Sequence, residues 1–281
     1  MQAYNLCKFV QSVAKKMKLS NIPNVLLIVF IFFYSCEPKV EKKNLNADSL
    51  KIDSISEKNP DSVSSSFINP SDTVATTILS ELEQLLIDSG LVNIRELDST
   101  IIVDLRYSTE NNFLGKDVYG DLNNCYLQPD VAEKLLHAQQ LLKKEFPQYN
   151  LLVFDGVRPR SIQWKMWEML DMPEKEKIKY VSNPEFGSLH NFGAAVDVSI
   201  SDENGNELDM GTPFDFFGEL AYPVKEQQLL KKGELSSLQI ENRKLLRRVM
   251  YGSDFFNIQT EWWHFNSCYR KEAITKYKLI E

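Results

Sequence analysis

A chain of 281 residues, 43% hydrophobic, 11% aromatic and 25% charged, holds enough apolar material for one large domain or two small ones. Its net charge of −7 leaves no basic surplus of the kind a nucleic-acid-binding surface needs. Only three histidines occur, His137, His190 and His264, so any imidazole-based site draws on a short set.

The first segment reads as a leader. Lys8, Lys15, Lys16 and Lys18 precede an apolar run from Val25 to Tyr34, and small residues lead to Cys36. That order is the pattern of an export signal. The run falls short of the roughly 20 apolar residues a membrane-spanning helix needs. Met17 is the more usual start, because it leaves a compact signal. The end of the run resembles a loose bacterial lipoprotein signal with Cys36 as the lipid-carrying residue, although Phe33 stands where the strict pattern has Leu. A cleaved soluble form and a retained anchor are the alternatives. Residues 1–36 are therefore expected to be a lipoprotein-type signal peptide, which implies the bacterial cell envelope, periplasm or cell surface, with membrane contact only through the lipid at Cys36. Residues 37–77 are rich in Ser, Asp, Asn and Lys, cannot bury enough surface to offset ordering entropy, and read as a flexible polar tether. Cys7 lies in the leader, leaving Cys125 and Cys268 in the domain. An oxidising compartment permits a bond between them, and two separate buried thiols are the alternative.

The folded domain is expected to span 78–281. Ile78, Leu79, Leu82, Leu85 and Leu86 recur at helical spacing behind a Ser80/Glu83 capping pattern. Ile101 to Val103 reads as a short strand. Pro129 to Phe146 reads as a helix with Val131, Leu135, Leu136, Ala138, Leu141 and Leu142 on its apolar face. Leu151 to Phe154 is a buried strand that stops at a turn signal, Asp155-Gly156, and Ser161 to Leu170 is helical. From Ala194 to Ile200 the pattern alternates, with Val196, Val198 and Ile200 on one face and Ala195, Asp197 and Ser199 on the other. Gln239 to Tyr251 is a late basic helix. Separate strands bracketed by helices, without regular β-α alternation, predict an α+β domain.

Three groupings carry chemistry. His190 and Asp197 stand seven apart, at the entrance and in the body of one strand; imidazole plus carboxylate suits zinc, and a surface ion pair is the plain alternative. Glu261-Trp262-Trp263-His264-Phe265 places a histidine among large aromatics, as a metal ligand or as a satisfied core histidine. Glu261, three residues earlier, could serve as a base, but in a flat strand that offset puts the two side chains on opposite faces. A bulge, a strand end or a helical turn would be needed. Arg158, in the turn after a buried strand, offers a permanent cation to a developing oxyanion or is simply a turn arginine held by an acidic neighbour. His137 is expected at a helix edge, Glu174 to Lys179 in a solvated segment, and Asp104 and Asp155 as turn carboxylates, with a role as partners of the site residues the alternative for both.

Together these motifs resemble the VanX-type D-alanyl-D-alanine dipeptidases, members of a zinc peptidase group that also includes D-Ala-D-Ala carboxypeptidases. The resemblance covers roughly residues 92 to 270. It includes Ser188-Leu189-His190 through Asp197, Met210 to Asp215, Glu261 to His264, Asp104 to Tyr107 with Asn112-Phe113 and Gly115, and Asn242-Arg243 with Leu246-Arg247. It implies a single zinc peptidase domain with a small, mostly antiparallel sheet flanked by helices. His190, Asp197 and His264 would hold Zn2+, Glu261 would act as general base and acid, and Arg158 would steady the tetrahedral intermediate. Asp215, helped by Tyr107 and Ser188, would bind the substrate's ammonium and close the site behind a free N-terminus. The implied activity is hydrolysis of D-alanyl-D-alanine and similar short dipeptides in cell-wall peptide metabolism. Val157 departs from the family, where an aromatic often precedes the arginine. A D,D- or L,D-carboxypeptidase with an open cleft is the nearest rival, and a catalytically silent cell-wall-binding module is the rival from another class.

Overall fold

The computed structural model describes residues 79–281. The leader over 1–36 with its lipid site Cys36, the tether over 37–77 and the first residue of the expected domain, Ile78, lie outside the described residues. Among the described residues no helix is long and apolar enough to cross a membrane.

The first helix, α1 (Glu81–Asp88), is capped by Ser80, whose hydroxyl accepts from the Glu83 amide. The second half of the expected capping box is missing. The Glu83 carboxylate turns inward and accepts from Asn124 and Tyr126 instead, so it docks α1 rather than closing its own N-terminus. A two-stranded antiparallel ribbon follows from β1 (Val92–Asn93) and β3 (Tyr126–Leu127), strands too short to leave a periodic signal.

The main sheet has five strands in the order β2 (Ile102–Val103), β4 (Asn150–Asp155), β5 (Ala195–Ser201), β7 (His264–Asn266) and β6 (Phe256–Asn257). Only β2 and β4 run parallel; the other pairs are antiparallel. The long helix α2 (Pro129–Glu145) begins with proline at its first turn, where the missing N–H costs nothing, and ends with Lys143 and Lys144 on the negative end of the helix dipole. Its buried face, Val131, Leu135, Ala138 and Leu142, packs on β4 and on α5 (Ser237–Tyr251). Gln139, fully buried on the same face, donates to Thr100 and Asn150 and accepts from the Leu151 amide, pinning α2 to the start of β4. Three further helices of seven or more residues are α3 (Arg160–Met169), α4 (Glu226–Lys232) and α6 (Arg270–Lys276), and single helical turns at Ile94–Leu97 and Glu174–Lys177 complete the α-helices among the described residues.

The α+β architecture expected from the sequence is observed, with boundaries within about two residues for the long elements, the usual uncertainty of helix and strand ends. One difference is physical. The alternation in β5 predicts one apolar and one open face, yet all seven residues are buried, because both faces are covered. Asp197 therefore sits in the interior, and a buried carboxylate needs partners. Cys125 and Cys268 are free, separately buried thiols.

Candidate active site

The site grows out of strand register. Asp155 stands opposite Asp197 across β4 and β5, and Asp197 stands opposite His264 across β5 and β7. A register irregularity between Val153 and Asp155 shifts the end of β4, the kind of bulge that re-aims side chains beside functional sites. Three central strands thus carry a row of chemistry-bearing residues. His190 joins from the turn Leu189–Phe192, which Ser188 and Asn191 cap reciprocally and Gly193 closes with φ +63°.

His190 Nε2, Asp197 Oδ1 and His264 Nδ1 converge, at 3.5, 3.0 and 3.2 Å from one another. Donors on a tetrahedral ion bonded at about 2.0–2.1 Å stand about 3.3 Å apart, so the spacing fits a small divalent cation with imidazole and carboxylate ligands. The outer ring nitrogens are already tied: His190 Nδ1 donates to the Gly156 carbonyl at 2.6 Å and His264 Nε2 to Asn266 Oδ1 at 2.9 Å. These bonds fix the tautomers that leave the converging nitrogens bare. Burial alone would lower the His264 pKa, but Asp197 beside it pushes it up to about 9. Asp197, against the cost of burial, is held far below the usual carboxylate range by the two imidazoles.

Arg158 is a buried cation with a buried counter-ion. Asp155 Oδ2 accepts from its Nε at 3.1 Å and its Nη2 at 2.5 Å, while Asp155 Oδ1 takes the Tyr119 hydroxyl at 2.6 Å. The guanidinium stacks on the Tyr107 ring at 4.9 Å and lies 3.9 Å from Asp197 Oδ2. Burial works against its charge, yet Asp155 and the neighbouring acidic groups hold its pKa above the ordinary value. Asp155, expected as a turn carboxylate, is instead the fully buried partner of Arg158; the Asp-Gly pair that reads as a turn is the end of a core strand. Asp104 does keep a peripheral role, pairing with Arg106 at 2.9 Å. Gly156 is required by close packing: a Cβ there would run into Cys125 Sγ and the Tyr126 carbonyl.

Asp215 adopts φ +61°, a left-handed conformation that aspartate tolerates better than most residues. Its Oδ1 accepts from the Tyr107 hydroxyl at 3.1 Å, and its Oδ2 is buried with no partner. Burial, then the nearby Asp197, raises the Asp215 pKa well above the usual value. The loop that carries Asp215 is stapled by α5: Arg243, fully buried, donates to the carbonyls of Met210 and Leu220, and Asn242 donates to that of Asp209. Trp262 adds a bond from its indole N–H to Thr212 at 2.7 Å. Ser188 Oγ donates to Gln163 Oε1 at 2.9 Å, which leaves only its lone pairs free for a ligand.

Glu261 precedes β7 at a bend through Trp262 and Trp263, and this bend answers the offset problem posed by the sequence. The Asn257 amide, from β6, donates to the backbone carbonyls of both Glu261 and His264, at 2.8 and 2.9 Å, and so clamps the bend. Burial raises the Glu261 pKa, with the nearby imidazoles opposing. Tyr107, Arg158, Ser188, Asp215 and Glu261 line one cavity of about 340 Å³ together with the His190, Asp197 and His264 cluster.

A sequence model described as D-ala-D-ala dipeptidase matches residues 88–277. The chain belongs to that peptidase family. It is 30% identical over 175 residues to a D-alanyl-D-alanine dipeptidase of Escherichia coli K12, covering 62% of this chain and 83% of the relative. It is 28% identical over 194 residues to one of Enterococcus faecium, covering 63% and 90%. Among solved structures it is similar to a vancomycin-resistance D,D-pentapeptidase VanY in complex with Zn(II), at 15% identity and a TM-score of 0.31 over 54% of this chain and 79% of that one.

Every site residue expected from the sequence reaches the cavity of this dipeptidase-family domain. The residues that sequence reasoning missed are those behind them, Tyr119, Gln163, Asn191, Asn257 and Asn266, while Asp155 takes the alternative reading, a partner of a site residue, over the turn role preferred for it. Gln163 and Asn191, both fully buried, link Ser188 to the Arg158 carbonyl through a chain of side-chain bonds. A polar residue on the apolar side of a helix, as Gln163 is, was the one available signal.

Proposed function

We propose that His190, Asp197 and His264 hold a zinc ion and that the domain hydrolyses D-alanyl-D-alanine and similar short dipeptides with a free N-terminus. The observation that carries this reading is the convergence of three ligand atoms, two of them on imidazoles whose outer nitrogens are already hydrogen-bonded, in one cavity with a half-buried base and an unpartnered carboxylate oxygen. Bound zinc supplies Lewis acidity toward a carbonyl and toward water.

The rest of the mechanism belongs to the chain's own groups. Glu261, whose half-buried carboxyl binds a proton more tightly than an exposed one, takes a proton from the attacking water and returns it to the leaving amine nitrogen. Arg158, fixed by Asp155, faces the negative charge that grows on the carbonyl oxygen; losing such a partner costs about 3–4 kcal/mol of barrier. Asp215 Oδ2 accepts the substrate's ammonium, with the Tyr107 hydroxyl holding the other oxygen and Ser188 able to accept a further N–H. An unpartnered carboxyl oxygen in this pocket, whose ionised form an incoming ammonium would stabilise, favours a free N-terminus over a blocked one. That arrangement supports a dipeptidase over an open-cleft carboxypeptidase.

The test is release of free D-alanine from D-alanyl-D-alanine by purified protein, with and without a chelator, alongside metal content. Activity that survives complete metal removal would overturn the reading, and Glu261→Ala protein that retains zinc but not turnover would exclude a silent binding module. The export pattern of residues 1–36 supports an envelope location with lipid on Cys36. Labelled fatty acid incorporated by the natural chain and not by Cys36→Ala would test it.

A further inference from the structure

Two arginines line the cavity, and the proposed chemistry uses one. Arg158 is engaged by Asp155 through both Nε and Nη2. Arg270 also lines the cavity, at the head of α6, and no carboxylate among the described residues pairs with it. Its Nη1 donates to the Gly187 carbonyl at 2.8 Å, beside Ser188 and two residues before Leu189 opens the turn that carries His190. This bond leaves further N–H donors of a planar, permanently charged fork free to face the cavity.

The mounting is rigid although the side chain is exposed. Ala273, one turn along α6, is fully buried in a cluster with Phe192, Ala194 and Cys268, so α6 is docked on the same turn that holds His190. The cavity lining therefore carries both signs. Asp215, held by the Tyr107 hydroxyl, brings an unpartnered carboxylate oxygen. Arg270, held by the Gly187 carbonyl, brings a cation with no carboxylate partner among the described residues.

We propose that Arg270 binds the C-terminal carboxylate of the substrate, so that the cavity grips a zwitterionic dipeptide by its ammonium at Asp215 and by its carboxylate at Arg270. The proposal rests on the dipeptidase reading for the identity of the ligand. It makes Arg270 a specificity-determining residue: a fork with no internal counter-ion rewards a ligand that brings a carboxylate and gains nothing from a neutral amide.

The experiment is calorimetric binding of D-alanyl-D-alanine and of D-alanyl-D-alaninamide to the zinc-loaded, non-hydrolysing Glu261→Gln protein, with and without Arg270→Ala or Arg270→Lys. The expected result is a preference for the acid of about 10- to 100-fold, the worth of one charged hydrogen bond. Arg270→Ala abolishes that preference by weakening the acid alone, and Arg270→Lys restores part of it. Equal binding of acid and amide by the parent protein would overturn the proposal, as would an Arg270→Ala loss that falls equally on both ligands. Hydrolysis by the natural protein is measured in parallel. Hydrolysis without acid preference sinks the role of Arg270 alone; acid preference that depends on Arg270 without hydrolysis sinks the enzymatic reading alone.

Discussion

Replacing Asp155 with Asn tests how the site is held. The Asp155 carboxylate is fully buried and collects three bonds, two from Arg158 and one from Tyr119. Asparagine keeps the shape but presents one acceptor where three donors converge. Arg158 is then a buried cation without its counter-ion, which costs about 3–5 kcal/mol. For a domain of roughly 200 residues each kcal/mol moves Tm by about 2–4 °C, so Asp155→Asn is expected to lower Tm by about 6–20 °C in scanning calorimetry. Turnover falls as well, because the guanidinium loses the partner that aims it. The double variant Asp155→Asn/Arg158→Met removes both charges and is expected to recover much of the stability, though none of the activity. A drop below about 2 °C for the single variant, outside the range worked here, would refute the argument. So would a double variant destabilised by the sum of the two single losses.

Other expectations follow from the same geometry. Asp215→Asn removes the acceptor for the ammonium and is expected to raise KM for D-alanyl-D-alanine by about 10- to 100-fold, while N-acetylated dipeptide, poor with the natural protein, becomes no worse. Equal rates of the natural protein on free and acetylated substrate would contradict the Asp215 role. The rings of Phe113, Tyr180 and Phe217 pack on one another at 4.8 to 6.1 Å beside the cavity, so Phe217→Ala is expected to widen the site and raise relative activity on tripeptides, read by comparing kcat/KM across peptide lengths. At the far surface, burial opposes ionisation of Asp130, but bonds from Lys276 and Tyr277 win and lower its pKa. Its contribution is therefore complete above the unfolded carboxyl's value of about 3.9 and lost as pH falls through the lower folded value. Asp130→Asn should be less stable than the natural protein at neutral pH, by about 1 kcal/mol or less at this half-exposed site, with the difference vanishing in strong acid. Urea titrations at several pH values would measure it.

Much of the local architecture was legible because its signals are local. The helix from Pro129 shows apolar spacing and a proline start, and the alternation around Asp197 gives a strand and the face its carboxylate takes. The chemistry-bearing residues also stood out, because so few histidines are available and each of two has a telling neighbour. Tertiary structure alone decided how those residues meet. Glu261 and His264 share a cavity because a bend before β7 is clamped by Asn257, a contact that depends on strand pairing rather than on spacing. Asp155 reads as a turn carboxylate beside Gly156, and only the packing of Tyr119 and Arg158 around it reveals a buried counter-ion. A strand's period reports which way a side chain points, whereas burial and partnership depend on what the rest of the chain lays over it.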